Sequence, residues 1–403
     1  MNRSFIGGEY KLSRNPFPPA ASGIDVGKDL YIPPKWKERI EKYYNELRHG
    51  KGAKAFPIVG EYGSGKTVLL KGYLKNFFEN KRIKPIYFEN PGAEFYDLAN
   101  TLMRSLGRHE FSKALWERCK EYLAEKTRLL FPMTFNDMLS TLKTKTDREN
   151  KARELLDVIK NKLKLTDDEE VAYRLGLMIV ETASKPYFSY RDFVAGPKDS
   201  LVAEGEEPKY FKAIIKAIIK IYGVDGVAFL IDEFEEVAFP KRMTRKQTYG
   251  YLATLRSLIE ISESENLWII IAMTEEAKEE TEKLTPPLWQ RFTHQQMETI
   301  LRFEPLTPEE SKELIIWWLN RAREEDDFKE YRDKLFPLPE NIENILESPD
   351  IRSPRRLVRI GFFTLARAEK EEVKAPIPLE FVEKVIKELY PPQIPKGVEN
   401  DKQ

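Results

Sequence analysis

The segment 60–67 constrains the fold more than any other stretch of this chain, because it reads G-E-Y-G-S-G-K-T. One apolar run, Ala55–Val59, precedes it and another, Val68–Leu70, follows it. A strand, a glycine-rich loop and a helix in this order form a phosphate-binding loop, in which the glycines let backbone N–H groups face a phosphate at the positive end of the helix. The pattern therefore predicts an α/β fold with a nucleotide site at the end of its first strand.

Each position of this loop has a separate expected role. The Lys66 ammonium would reach the β- and γ-phosphates, and the Thr67 hydroxyl would bind the magnesium ion that accompanies them. ATP and Mg²⁺ are therefore the expected cofactors, and Lys66 is also expected to act in catalysis. The predicted nucleotide contacts in this loop are Gly60, Gly63, Ser64, Gly65, Lys66, Thr67 and Val68.

An acidic pair follows a second apolar run. Val227–Ile231 leads directly into Asp232 and Glu233. A buried parallel strand delivers the side chains that follow it to the carboxyl edge of the sheet, where phosphates bind in α/β folds. Asp232 is expected to hold Mg²⁺ through its water shell, and Glu233 to orient and polarise the attacking water. Such a pair is also common as a solvated turn, but the phosphate loop upstream favours the functional interpretation.

Two further polar residues stand beside apolar runs. Thr274 follows Trp268–Met273, so its hydroxyl would lie at the end of another buried strand, in reach of the γ-phosphate or the attacking water. Arg291 precedes the last predicted strand, Ile300–Glu304, and a guanidinium there would stabilise the charge that develops on a transferred phosphoryl group. The alternatives are a threonine that only caps a strand and a surface arginine in an ion pair.

The charge balance limits where a nucleic acid can bind. The chain of 403 residues has 66 Lys+Arg and 66 Asp+Glu, so a general polyanion-binding surface is not expected. A local patch is expected instead, because residues 239–259 contain no acidic side chain. A solvated helix start is the alternative. The residues expected to contact DNA are Lys241, Arg242, Arg245 and Lys246, with Tyr249 and Tyr251 as stacking partners for bases.

Cysteine and histidine usage excludes several kinds of site. Cys119 is the only cysteine and the three histidines match no metal-ligand spacing, so neither a disulfide framework nor a cysteine-rich zinc site is expected. The N-terminus lacks the apolar core of a signal peptide, and apolar stretches such as Leu267–Met273 are too short for a bilayer. A cytoplasmic protein with no membrane partner is expected. Abundant Lys and Glu also resemble a thermophile's composition.

Composition and hydrophobic periodicity divide the chain into parts. Helix-start signals lie at Thr166, Thr307 and Ser353, each with a proline or a glutamate in the following turn. The expected parts are an extended lead-in (1–35), a nucleotide-binding core (36–305) with a helical insertion at about 94–222, a helical lid (306–390) and a disordered tail (391–403).

Together these motifs resemble those of AAA+ ATPases, in particular of the origin-recognition-like and ExeA/TniB-like branches. The stretches that carry the resemblance are Gly60–Thr67, Phe229–Glu233, Thr274, Gln290–Phe292, Phe303–Thr307 and Ser353–Leu357. The family implies a five-stranded parallel sheet followed by a helical lid. It also implies that Arg355, or alternatively Arg356, contacts the γ-phosphate from the lid, and that Asn90 restrains the catalytic glutamate. The long insertion resembles those of phage-defence island ATPases.

Two functional hypotheses follow. The first is an ATP-hydrolysing molecular switch that self-associates, with Arg291 completing a neighbour's site, and that acts on DNA or a DNA-bound complex in replication, transposition or mobile-element defence. The second is a signalling or scaffold ATPase whose helical insertion recruits a protein effector without DNA. A small-molecule kinase is a third interpretation, weakened by the acidic pair and by the absence of an acceptor-binding motif.

Overall fold

The computed structural model contains one five-stranded sheet with the strand order β2-β3-β4-β1-β5. It describes residues 4–19, 31–49, 53–92, 95–127, 133–185, 187–195, 207–239, 244–292, 299–324 and 326–391. The pairs β1–β4, β3–β4 and β2–β3 are parallel, as expected from the sequence. The five-stranded parallel sheet is therefore confirmed. The strands are β1 (Ala55–Gly60), β2 (Ile83–Phe88), β3 (Gly226–Ile231), β4 (Leu267–Met273) and β5 (Leu301–Phe303).

The adjacent strands β3 and β4 are buried along their whole length. Every residue of β3 and β4 is buried, which is typical of parallel strands covered on both faces. In register, Val59 pairs with Met273, and Ile271 pairs with Ile231. The carboxyl ends of β1, β4 and β3 therefore meet at one edge of the sheet, and the segments that begin with Thr274 and Asp232 leave from that edge.

Helices make up most of the remaining described residues. The long stretch between β2 and β3 is helical from α5 to α11, so the helical insertion is confirmed for the residues that the structure describes. The α-helices are α1 (Phe5–Glu9), α2 (Pro34–His49), α3 (Lys66–Val68), α4 (Lys75–Asn80), α5 (Phe95–Leu106), α6 (Arg108–Thr127), α7 (Phe135–Thr141), α8 (Lys145–Asp157), α9 (Glu169–Val180), α10 (Tyr190–Ala195), α11 (Glu207–Tyr222), α12 (Glu235–Ala238), α13 (Arg245–Ser264), α14 (Glu275–Leu284), α15 (Pro286–Phe292), α16 (Pro308–Asn320), α17 (Pro354–Lys370) and α18 (Leu379–Leu389). Short π-helical segments (Leu69–Leu74, Val158–Lys162) and 3₁₀ segments (Asp326–Tyr331, Ile342–Asn344) complete the set.

Two of the three predicted helix starts form as expected. The Thr307 hydroxyl accepts the Glu310 N–H, and the Glu310 carboxylate accepts the Thr307 N–H. The Ser353 hydroxyl accepts the Arg356 N–H at 3.4 Å. The prediction for Thr166 is wrong, because Asp168 caps α9 instead. The Asp168 carboxylate accepts the Val171 N–H at 3.1 Å and also binds the Lys209 ammonium at 2.8 Å, a tertiary contact that Thr166 cannot provide.

The chain forms two compact units. The first contains residues 1–34, 60–68 and 303–403, and the second contains residues 35–59 and 69–302. The bounds of these units differ from those of the parts expected from the sequence. The expected division into domains stays a prediction. The tail is outside the described residues apart from Pro391.

In the first unit, the N-terminal segment packs on α17. A Cβ atom at Gly361 would lie 2.7 Å from ring atoms of Phe17, so only glycine accommodates this ring. The Tyr10 hydroxyl donates to the Val373 carbonyl at 2.8 Å. Part of this segment, predicted to be wholly irregular, is the short helix α1, whose first turn is capped by the Ser4 hydroxyl.

In the second unit, the insertion packs on the sheet through aromatic rings. The Phe229 ring of β3 lies 5.1 Å from the Phe88 ring of β2 and 5.8 Å from the Phe211 ring of α11, measured between centroids. None of the described helices combines the length and the apolar character needed to cross a bilayer.

Candidate nucleotide site

The phosphate loop has a backbone that requires glycine at three positions. Gly63 and Gly65 have φ values of +85° and +104°, in the left-handed region that side chains disfavour. At Gly60 a Cβ atom would lie 2.5 Å from the Phe303 Cβ atom. The glycines that define the sequence motif are therefore explained by the geometry of the loop.

Two polar side chains of the loop indicate that its interior suits an anion. The Ser64 hydroxyl is buried and has no hydrogen-bond partner among the described residues, an arrangement that is costly unless a polar ligand supplies one. The Lys66 ammonium donates to the carbonyls of Gly60 at 2.7 Å and Glu61 at 3.1 Å, so it lies across the loop that it is predicted to serve. Thr67 and Val68 follow, half-buried, in α3. These residues fit a triphosphate.

Arg355, in the first turn of α17, packs directly on this loop. Its N–H donates to the Gly63 carbonyl at 3.4 Å, and a Cβ atom on Gly63 would lie 3.0 Å from the Arg355 Cβ and Cδ atoms. Its guanidinium lies 4.5 Å from the centroid of the Tyr62 ring, in cation–π geometry. Arg356 points elsewhere, because it donates to the Asp350 carbonyl at 2.6 Å and lies over the Tyr390 ring. Of the two arginines, Arg355 is the one that contacts the loop.

The acidic pair at the end of β3 has a hydrogen-bonding partner that the sequence did not indicate. Asp232 is 3% exposed, and its two carboxylate oxygens accept the Tyr87 hydroxyl at 2.9 Å and the Glu233 N–H at 3.0 Å. Burial, together with Asp232, raises the pKa of the Tyr87 hydroxyl, so this phenol stays a donor. Tyr87 lies on β2 opposite Leu230 of β3, a register that no sequence pattern specifies.

Glu233, the predicted base, has an uncommon backbone conformation and a raised pKa. Its φ of +50° lies in the left-handed region, where a non-glycine residue is uncommon and often functional. Partial desolvation, and after it the charges of Asp232 and Glu89, raise the pKa of the Glu233 carboxyl. Lys71 joins the same group, since its ammonium lies 4.6 Å from the Tyr87 ring centroid and 3.7 Å from the Glu89 carboxylate.

Thr274 and Asn90 both have local hydrogen bonds. The Thr274 hydroxyl caps α14 by accepting the Ala277 N–H at 3.2 Å, which leaves its own proton available to a ligand. The Asn90 carboxamide oxygen accepts the Gly92 N–H at 2.7 Å in an exposed turn. Glu89, the residue before Asn90, is the group at the end of β2 that acts electrostatically on Glu233.

Arg291 is in the last turn of α15 and forms a surface ion pair. Its guanidinium lies 2.9 Å from the Glu260 carboxylate, and the two side chains are 29% and 45% exposed. Glu260 also binds Arg256 at 3.3 Å. A half-exposed guanidinium that is held by a carboxylate is oriented by this contact and still accessible from outside the chain.

The basic segment predicted to contact DNA is only partly described by the structure. Lys241 and Arg242 lie outside the described residues, while Arg245 and Lys246 are exposed in the first turn of α13. Tyr249 is 47% exposed. The prediction for Tyr251 is wrong, because its ring is 3% exposed and its hydroxyl donates to the Pro91 carbonyl at 3.0 Å. Tyr251 is a core residue and offers no face to a base.

Comparisons with known proteins find distant structural likeness alone. No family model matches this chain, and neither does any curated protein. The chain is similar to the solved structure of the Aeropyrum pernix ORC2 protein in its ADP form, with 13% identity, a TM-score of 0.47, and coverage of 94% of this chain and 73% of the other. For the ADPNP-ADP complexes of the same protein the identity is 13%, the TM-score 0.43, and the coverage 96% and 74%. With TM-scores below 0.5 and this low identity, no functional conclusion rests on either likeness.

Proposed function

We propose that this chain is a magnesium-dependent ATPase of the AAA+ type. The observation that carries the proposal is the packing of Arg355 on the predicted phosphate loop: its N–H donates to the Gly63 carbonyl, its aliphatic carbons lie against Gly63, and its guanidinium lies 4.5 Å from the centroid of the Tyr62 ring. A surface turn has no need of a buried hydroxyl without a partner among the described residues, as at Ser64, and the acidic pair Asp232 and Glu233 follows a fully buried strand. These features together fit the binding of a nucleoside triphosphate.

In this proposal, different residues bind the phosphates, activate the attacking water and hold the metal ion. The amides of the loop and the Lys66 ammonium bind the phosphates, and Arg355 adds a second positive charge at the loop. Glu233 orients the attacking water and accepts its proton, while the Thr274 hydroxyl donates to the same water or to the γ-phosphate. Thr67 and, through the water shell of the ion, Asp232 would hold Mg²⁺, which would stabilise negative charge on the phosphates.

A single assay tests this proposal. Purified protein with ATP and MgCl₂ is expected to release phosphate at a rate that is abolished by EDTA and restored by added Mg²⁺. Binding of ATP is measured separately by calorimetry. Protein that neither binds ATP at millimolar concentrations nor releases phosphate would contradict the proposal.

Tyr87 is expected to tune the magnesium dependence of this activity. Tyr87→Phe removes the hydroxyl that donates to Asp232, and leaves a buried carboxylate oxygen without its partner. A hydrogen bond to a charged group contributes about 1.5 kcal/mol or more, so the Mg²⁺ concentration for half-maximal hydrolysis should rise roughly tenfold. The measurement is a Mg²⁺ titration of phosphate release at saturating ATP.

A matched hydroxyl deletion controls for this change. Tyr73→Phe removes a half-buried phenol that stacks on Phe77 and should leave the Mg²⁺ titration unchanged. If Tyr87→Phe and the wild type require the same Mg²⁺ concentration, the Tyr87 hydrogen bond has no role in positioning Asp232.

Self-association is the second part of the proposal, with Arg291 acting in a neighbouring subunit's site. Its support is the partly exposed guanidinium on α15, which the Glu260 carboxylate orients. The turnover rate per chain should then rise with protein concentration and lose this dependence in Arg291→Ala, with a fall of about a thousandfold at high concentration. Arg302→Ala, which removes another ion-paired arginine, should keep the dependence. A rate per chain that is constant over the whole concentration range would exclude a role between subunits.

The client of the switch is proposed to be DNA or a DNA-bound complex, as in replication, transposition or mobile-element defence. The exposed Arg245 and Lys246 support this proposal. The alternative is a scaffold ATPase that recruits a protein effector through its insertion, whose surface pairs charges of both signs, as in Arg118–Glu121 and Lys151–Glu154. Turnover that DNA stimulates favours the first, and turnover that is indifferent to DNA favours the second.

A further inference from the structure

The exposed residues of α17 lie in one line along the helix. They are Arg355, Arg359, Phe363 and Lys370. Residues spaced by four, four and seven positions share one face of an α-helix, and at 1.5 Å per residue this face extends over roughly 22 Å. Arg355 belongs to the nucleotide site, and the other three residues are called the α17 stripe below.

The positive charge of Arg359 in the α17 stripe is not balanced by an acidic residue nearby on the helix. Residues 351–368 contain no acidic side chain. Among the residues that the structure describes, no carboxylate forms an ion pair with Arg359 or Lys370. Glu369 and Glu371 flank Lys370 in the sequence, and the carboxylates of Glu371 and Glu388 are both bound to Arg367.

Aromatic rings flank the exposed guanidinium of the stripe. Arg359 lies 5.8 Å from the centroid of the Phe363 ring and 5.9 Å from that of the Tyr390 ring. Phe363 is 37% exposed, although a large apolar side chain at the surface of a helix gains nothing from water. Alternating cations and accessible rings are the combination that binds a nucleic-acid strand, because phosphates need positive charge and unpaired bases need a surface on which to stack.

We propose that the α17 stripe binds a single-stranded nucleic acid, with phosphates on Arg359 and Lys370 and a base stacked on Phe363. A duplex would use the two cations alone, because its bases are already stacked on one another. An acidic peptide would likewise bind the two cations and make no use of the Phe363 ring. The exposed ring between the two cations therefore favours the single strand.

The test measures the binding of a fluorescein-labelled single-stranded DNA of 20 nucleotides to the full chain by anisotropy at low salt. Arg359→Glu should weaken binding at least tenfold, and Arg359→Lys should retain it. Arg359→Ala should reduce the slope of log affinity against log salt by about 0.7, the value for one lost phosphate contact on a single strand. Phe363→Ala should weaken binding roughly five- to a hundredfold, and Phe363→Trp should not.

Three controls separate this proposal from others. Lys113→Glu makes the same change in charge at an exposed position of α6 and should leave binding unaffected. The double variant Arg245→Ala/Lys246→Ala reports the contribution of the other basic segment. Lys66→Ala should have a lower affinity for ATP and an unchanged affinity for the strand. Failure of the ATPase proposal is therefore distinguishable from failure of this one. Melting curves confirm that each variant is folded.

Several results would overturn the proposal. One is that Arg359→Glu binds the strand as tightly as the wild type does. Another is that Lys113→Glu loses as much affinity for the strand as Arg359→Glu does. A third is that a duplex binds as tightly as the single strand and that Phe363→Ala has no effect. This result would show that the stripe contacts only the phosphates of the nucleic acid and not its bases. Competition by polyglutamate at the same charge concentration would assign the stripe to an acidic peptide. An RNA oligonucleotide of the same sequence distinguishes the two kinds of strand, and tight binding of either one supports the proposal.

Discussion

Glu233→Gln is expected to bind ATP as the wild type does and to hydrolyse it about 10²- to 10⁴-fold more slowly, the range that a general base contributes. The amide has the shape of the carboxyl group but cannot accept a proton from the attacking water. The phosphate loop does not depend on this side chain, so the affinity for ATP should be retained. Calorimetric titration and single-turnover phosphate release measure the two quantities on the same preparation.

A neighbouring carboxylate supplies the control for this substitution. Glu236→Gln removes an exposed carboxylate three residues along the chain and should hydrolyse ATP at a rate close to that of the wild type. Hydrolysis at the wild-type rate by Glu233→Gln would show that another group activates the water. A joint loss of binding and hydrolysis would instead indicate a disturbed fold.

The pH dependence of hydrolysis follows from the same carboxyl group. Partial desolvation and the charges of Asp232 and Glu89 raise the pKa of Glu233. A protonated base is inactive, so the rate should fall on acidification and begin to do so above the usual range for a glutamate. Glu89→Gln removes one of the charges that raise the pKa and should therefore shift this acid limb to lower pH.

Lys66→Ala is expected to weaken ATP binding roughly ten- to a hundredfold, since a charge-assisted hydrogen bond contributes about 1.5–3 kcal/mol. The ammonium lies on the loop itself, held by the Gly60 and Glu61 carbonyls, so its loss removes the closest positive charge that the loop supplies. Binding of a fluorescent ATP analogue at constant Mg²⁺ is the measurement.

Lys75→Ala serves as the comparison, because Lys75 is an exposed lysine of α4 downstream of the loop. It should bind ATP as the wild type does. Equal affinities in Lys66→Ala and Lys75→Ala would mean that nucleotide, if it binds, does so away from the phosphate loop. The proposed function would then be wrong at its starting point.

Local patterns predicted much of the fold. The runs Ala55–Val59, Val227–Ile231, Trp268–Met273 and Ile300–Glu304 each predicted a strand, and the observed strands begin within one residue of these starts. The capping box at Thr307 and the N-cap at Ser353 depend on residues within one helical turn, so the sequence alone predicts them. At α9 two capping residues compete within three positions, and a distant lysine, Lys209, decides the outcome.

Features that depend on pairing between distant segments were not predictable. The contact between Tyr87 and Asp232 requires the register of β2 against β3, which buried apolar strands leave unspecified in sequence. The burial of Tyr251 depends on the loop at Pro91. The choice of Arg355 over Arg356 follows from how the first turn of α17 approaches Gly63, and adjacent arginines look equivalent until that approach is known.

One helix carries both Arg355 and the α17 stripe, and this has a thermodynamic consequence. A helix of 17 residues moves as a rod, so any displacement of its first turn when the phosphates change is transmitted to Arg359 and Phe363. Linkage then demands reciprocity: the factor by which ATP alters the affinity for a strand equals the factor by which the strand alters the affinity for ATP. Binding of either ligand would therefore change the affinity for the other, although the two ligands do not touch.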